Sequence, residues 1–253
     1  MIRHDINSTW ISGPRRITVV QTPARPAAQL AIYQPTQLLI LHDAQNLFEP
    51  DRAHRPGHHW QVAETVEGLA EEDVLPPLVV VGIDHAEEDR VVELTPSEDG
   101  HPGAGMSWRY GRFVMEELVP FLAEEYDIDV TPGAIGLGGS SLGGLATLAL
   151  AHQYPGRFGR LLVMSPSLWW DNRVILRRLR RQPLLPSTRV WLDCGHQEGR
   201  DTLSNVRQLR RLFRDQLDLG NVGGAEDPDG DHSEDAWARR LPDALRWLYG
   251  RPG

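Results

Sequence analysis

Short, nearly pure apolar runs alternate along this chain with longer segments of helical period. Arg16-Ile-Thr-Val-Val20 reads as an early strand, followed by a Pro/Ala-rich connection to about Tyr33. Leu38–Leu41 ends in a polar cluster, as a central parallel strand does, and Leu78–Ile83 is the clearest central strand in the sequence. Gln61 to Glu72 is predicted to be a helix, and Pro76-Pro77 closes the loop that follows it. Thr95 to Gly105 is polar and rich in Gly and Pro, and reads as a mobile loop. Tyr110 to Tyr126 has helical periodicity through Phe113, Leu118 and Phe121, with Pro120 as a point of kinking. Ile135 and Leu137 mark a short buried strand, and Leu142 to His152 a buried Ala/Leu helix that ends at Tyr154-Pro155.

The same rhythm continues to the end of the chain. Leu161–Met164 and Arg189–Cys194 read as strands, and Asn172–Arg181, Asp201–Leu219 and Glu234–Tyr249 as helices. The five arginines of the 172–181 segment are expected to form a solvated face. Strands alternating with helices at these lengths imply an α/β fold with a doubly wound, mostly parallel sheet and helices on both faces. No repeat or long linker interrupts the pattern, so residues 1–253 are expected to form a single domain.

Composition narrows the class. The formal net charge of −9 argues against nucleic acid or an anionic membrane surface as partner. The single cysteine, Cys194, excludes an internal disulfide and sits in an apolar strand, where a structural thiol is expected. There is no 18-residue apolar run, and Met1-Ile-Arg-His-Asp-Ile-Asn is not a signal peptide, so the expected location is cytoplasmic. The oligomeric state is not legible.

One stretch carries chemistry. Gly139-Ser140-Ser141-Leu142-Gly143 fits the G-x-S-x-G nucleophile elbow, and its position between the 135–137 strand and the 142–152 helix is the context that pattern needs. Glycines on either side are required because a Cβ there would strike the neighbouring strand or helix. A serine hydroxyl needs a base, an orienting acid and an oxyanion site. Of the histidines, His152 lies inside the elbow helix and reads as structural. His232 lies in a loop immediately before the final helix, where a hydrolase base belongs. Three acid candidates follow the strand ending at Cys194. Asp193 is still within the strand and Asp201 reads as the N-cap of the next helix, which favours Glu198 in its Gly-flanked turn. The oxyanion site should use the N–H of Leu142 and one from the loop after the 38–41 strand.

The sequence resembles the Putative esterase family of α/β-hydrolases, which includes enterochelin, feruloyl and acetyl-sugar esterases, S-formylglutathione hydrolases and mycolyltransferases. The matching stretches are Leu41-His-Asp-Ala-Gln-Asn-Leu-Phe48, Val79–Asp84 with Arg90 and Glu93-Leu94, Gly138–Gly144, Tyr154–Phe158, Ser165-Pro-Ser-Leu-Trp-Trp170, Leu192–Gly199 and Asp231-His-Ser-Glu234. They run in family order from about residue 16 to 250. The resemblance implies Ser141 as nucleophile, His232 as base, Glu198 as acid, and the backbone amides of Gln45 and Leu142 for the oxyanion. Two departures are visible. The family usually has glycine where Ala44 stands, which shifts that loop's backbone slightly. The strand expected between Leu219 and His232 is replaced by a polar, Gly-rich segment.

The expected activity is hydrolysis of a small-molecule carboxylic ester through an acyl-serine. Acyl transfer to an alcohol or sugar by the same triad is the alternative, and a non-catalytic binding module is disfavoured by the complete Ser/Glu/His set. Trp108, Tyr110, Trp169 and Trp170 are expected to line the substrate site. No metal or other cofactor is expected. His54, His58 and His59 have no ligand spacing, and Asp227, Asp229 and Asp231 lack the glycine and glutamate placement of a calcium loop.

Overall fold

The computed structural model describes residues 1–23 and 35–250. Most of the Pro/Ala-rich connection read from the sequence therefore lies outside the described residues. The strands are β1 (Ile2–Ile6), β2 (Arg15–Gln21), β3 (Gln37–His42), β4 (Leu78–Ile83), β5 (Ile135–Ser140), β6 (Phe158–Met164), β7 (Arg189–Gly195), β8 (Val222–Gly223) and β9 (Glu226–Asp227). They form one sheet in the order β1-β2-β4-β3-β5-β6-β7-β8, with β9 also paired to β7. The β1–β2 and β2–β4 pairs are antiparallel, and every other pair is parallel.

The apolar runs are explained by burial on both faces. Leu38, Ile40, Val79 and Val81 belong to one hydrophobic cluster, and Leu39, Leu41, Leu78 and Val80 to the other. The helices that cover the faces are α1 (Val62–Glu71), α2 (Arg90–Leu94), α3 (Ser107–Arg112), α4 (Val119–Glu125), α5 (Leu142–Gln153), α6 (Trp170–Arg181), α7 (Arg200–Gln216) and α8 (Glu234–Tyr249). α5 is apolar all round and is buried from Leu142 to Ala151, as such a helix must be.

Several expectations need correction. β1 pairs with β2 but only its Ile6 is buried, so its alternation Ile-Arg-His-Asp-Ile carries little apolar signal. The 110–126 helix is α3, a π-turn over Phe113–Leu118, and α4. Pro120 stands just after that π-turn, where its missing N–H removes a helical rung. Asp201 is not an N-cap. Gly199 precedes α7, and Asp201 lies in its first turn, where the carboxylate meets the positive end of the helix dipole. Between Leu219 and His232, in place of the strand expected from the resemblance, stand only the two-residue β8 and β9, both paired to β7.

The 95–105 loop is tied to its surroundings. Gly105 N–H donates to Thr95 Oγ1, Trp170 Nε1–H to Ser97 O, and Arg178 to Pro96 O. Arg173, Arg177, Arg180 and Arg181 of α6 are exposed, in line with a solvated face. Cys194 is buried and unpaired with any cysteine, and burial pushes its thiol up to about 12, which keeps it protonated and inert. Among the described residues no helix is long and apolar enough to cross a membrane.

Candidate active site

Chain reversals at the C-terminal ends of the neighbouring strands β3, β5, β6 and β7 bring the candidate residues to one edge of the sheet, where open α/β sheets place their ligands. The sharpest reversal is at Ser141, between β5 and α5, with φ 54° and ψ −119°. This region costs a non-glycine residue on the order of 1–3 kcal/mol. Three backbone bonds hold it: Ser141 N–H to Met164 O (3.1 Å), and Ser167 N–H (3.0 Å) and Leu145 N–H (3.1 Å) to Ser141 O. A Cβ at Gly139 would come within 3.1 Å of Gly143 and of the His42 ring, and one at Gly143 within 3.2 Å of Asp43 and His42. Both elbow glycines stand where a Cβ would be packed more tightly than ordinary van der Waals contact. Ser140 is a buried residue at the end of β5.

Glu198 closes the short turn His196–Glu198 after β7, with its side chain only 1% exposed. Its Oε2 is 2.8 Å from His232 Nδ1. Its Oε1 accepts the Gly195 N–H and the Ser165 hydroxyl, each at 2.6 Å. His232 itself is held from the α8 side. Ser233 caps that helix by accepting Ala236 N–H (3.3 Å), and the Trp237 ring meets the imidazole edge-on at 4.9 Å.

Ion pairs fix the polar segment before His232. Glu226, on β9, contacts Arg207 and Arg210, and the hydrogen bond and charge of Arg207 help hold its carboxyl down to about 2. A cleft of about 270 Å³ is lined by Ser141, Ser165, Ser167, Trp169, Glu198 and His232, among others. Among the described residues, Ser141 Oγ has its hydrogen bond with Ser167 Oγ (3.3 Å) rather than with His232.

The loop after β3 completes the edge. Asp43 adopts a left-handed conformation (φ 62°) and starts a short 3₁₀ turn, Ala44–Asn46. The Asp43 carboxylate receives two parallel bonds of 2.7 Å from Arg90. Burial opposes its charge, but the Arg90 guanidinium overrides burial and holds the carboxyl below the usual range. The Ala44 methyl packs over Gly82, where a Cβ would come within 2.9 Å of it. Gln45 fastens its carboxamide to the next loop, accepting His85 N–H (2.9 Å) and donating to His85 O (3.1 Å) and Glu87 (3.3 Å). Gln45 lies in the short Ala44–Asn46 turn and Leu142 opens α5, and neither backbone N–H takes part in the turn, loop and cap hydrogen bonds of the described residues.

His42, at the end of β3, is buried and its Nδ1 lies 2.9 Å from Tyr110 Oη. Burial pushes its imidazole down to about 4, against the pull of Asp43. The unfolded chain therefore takes up a proton between the ordinary value of 6.5 and about 4, where the folded chain does not. This contribution to stability is complete above pH 6.5 and is lost as the pH falls through 4, a loss on the order of 3 kcal/mol. Asp193, which burial pushes up to about 6, acts in the opposite sense over part of this range. Urea unfolding of the parent and of His42→Asn at pH 7 and pH 4 separates the two. The parent should lose more stability than the variant, and equal losses would remove His42 as the cause.

The four aromatic residues expected around the substrate are dispersed. Trp169 is 55% exposed and lines the cleft. Trp108 is 47% exposed but lines a separate cleft of about 480 Å³ with His152 and Arg178. Tyr110 and Trp170 are core residues. Their polar tips are satisfied by His42 and Ser97 O, which makes burial inexpensive. Sequence reasoning missed Ser165, Ser167 and Arg240 as parts of the site. The signal for Arg240 was its place on the apolar stripe of α8 with Trp237, Leu241 and Ala244, all buried.

A family model described as Putative esterase matches residues 29–248. An uncharacterized protein of Bacillus subtilis, YbbA, is 29% identical over 208 residues, covering 74% of this chain and 80% of the relative. The iron(III) enterobactin esterase of Dickeya dadantii is 36% identical over 147 residues, covering 53% of this chain and 34% of that protein. Among solved structures, the BES protein from Bacillus cereus superposes with a TM-score of 0.78 at 21% identity, covering 99% of this chain and 95% of the other. Sheet order, elbow and family match lead to one assignment: the chain belongs to the Putative esterase family, has the α/β-hydrolase fold, and is a carboxylic ester hydrolase.

Proposed function

We propose that this chain hydrolyses small-molecule esters through an acyl-serine intermediate, with Ser141 as nucleophile, His232 as general base and Glu198 as orienting acid. The N–H groups of Gln45 and Leu142 receive the oxyanion. The observation that carries the reading is the 2.8 Å contact between buried Glu198 and His232 Nδ1 on the cleft that Ser141 lines. A carboxylate engaged with Nδ1 leaves Nε2 as the nitrogen free to take a proton. Ser141 must exchange its Ser167 partner for His232 on binding substrate, a rotation about χ1 of the kind catalytic residues commonly make when a substrate arrives.

Ser141 Oγ then bonds to the carbonyl carbon while Nε2 takes its proton. The C–O bond to the alcohol breaks as Nε2 returns that proton to the leaving oxygen. Water repeats the sequence on the acyl-serine and releases the acid. Trp169 offers the rim an apolar face for an aromatic or sugar group of the substrate.

The test is a panel of p-nitrophenyl esters of varied chain length, feruloyl and acetyl-sugar esters, and enterobactin, included because a relative is named for it. At least one ester should turn over with release of acid. Turnover of none would overturn the proposal. Acyl transfer uses the same residues, and would instead give a new ester when an alcohol is added.

A further inference from the structure

We propose that Ser165, clamped by Arg240 and Trp237, is a positioning residue that keeps Glu198 a hydrogen-bond acceptor toward His232 and fixes the proton of His232 on Nδ1. The inference rests on the triad assignment above and extends it inward. Ser165 Oγ has three neighbours at hydrogen-bonding distance: Trp237 Nε1 (2.9 Å), Arg240 Nη2 (3.0 Å) and Glu198 Oε1 (2.6 Å). An indole N–H and a guanidinium can only donate, so they occupy both lone pairs of the hydroxyl. Its one hydrogen is left for Glu198.

Oε1 then takes two donors, the Ser165 hydroxyl and the Gly195 N–H, and has no place for a proton of its own. A proton on Oε2 would have to be donated to His232 Nδ1, which would leave the hydrogen on Nε2 and block the base. The buried Arg240 cation opposes that state. It stands 3.8 Å from Glu198, 3.2 Å from Asp193 and 3.4 Å from Asp227. The Asp193 contact is a charge pair without the alignment of a hydrogen bond. Oε2 is therefore left as an acceptor, and the hydrogen between it and His232 belongs to Nδ1.

The backbone supports a role for this particular hydroxyl. Ser165 is 1% exposed and has φ 42°, a conformation that glycine adopts far more easily than serine. A serine is kept in a strained position whose side chain is fully engaged. Trp237 also touches His232 edge-on, so the same clamp reaches both ends of the Glu198–His232 pair.

Ser165→Gly removes the hydroxyl and suits the local φ, so it should fold, and Ser165→Ala is the second variant. In ¹⁵N-histidine-labelled protein at about pH 8, His232 is assigned by its absence from His232→Asn. The parent should show one tautomer, with hydrogen on Nδ1. Both variants should show a mixture of tautomers. They should also lose roughly 10- to 100-fold in kcat, the scale of one charge-assisted hydrogen bond, with KM within about twofold. A single Nδ1–H tautomer that persists in both folded variants would overturn the proposal whatever happens to kcat. The tautomer is read without substrate, so a chain that turns over no ester yet shows the shift would sink the triad assignment and leave the positioning role standing.

Discussion

Ser141→Ala is expected to lower kcat/KM for any responsive ester by about 10⁴-fold or more, with the melting temperature held or raised. Both halves follow from the elbow. The hydroxyl is the attacking group, so nothing else in the cleft replaces it. The strain lies in the backbone at φ 54°, so losing Oγ gives up only its 3.3 Å bond to Ser167. Ser140→Ala is the control. Its side chain belongs to the buried end of β5 rather than to the cleft, and the variant should keep substantial activity. An inactive Ser140→Ala beside an active Ser141→Ala would shift the elbow by one residue.

Glu198→Gln should be nearly as damaging to kcat, on the order of 10³- to 10⁴-fold, because an amide can present a hydrogen to Nδ1 and reverse the tautomer. The fold should tolerate it, since Arg240 keeps Asp193 and Asp227 as counter-charges. Asp201→Ala is the matched comparison. Asp201 is a first-turn carboxylate on α7 and not its cap, so the loss is about 0.5 kcal/mol of stability with kcat nearly unchanged. Kinetics and thermal melts on the pair decide the matter. An active Glu198→Gln beside an inactive Asp201→Ala would transfer the acid role to Asp201.

The central sheet was legible because strands buried on both faces leave continuous apolar runs, as in β3 and β4. The elbow was legible because a positive-φ serine between close-packed segments leaves little room for a Cβ at Gly139 and Gly143, so the glycines mark it in the sequence. What escaped depended on partners distant in sequence. β1 is an edge strand stabilised by pairing, with almost no apolar pattern of its own. Tyr110 and Trp170 looked like rim aromatics, because periodicity does not tell whether a ring's polar tip will find a buried partner. The role of Arg240 is not local in sequence. Its meaning comes from Asp193, Ser165 and Asp227, which lie 47, 75 and 13 residues away. The segment before His232 lacks an apolar strand signal because Glu226 is anchored by Arg207 and Arg210 instead.

The most direct measurement is active-site labelling with a fluorophosphonate, followed by digestion and peptide mass spectrometry of the 253-residue chain. One adduct per chain is expected, on Ser141, formed much more slowly in His232→Ala and absent in Ser141→Ala. An adduct on another residue, or ester turnover in a protein that the reagent neither labels nor inhibits, would contradict that assignment.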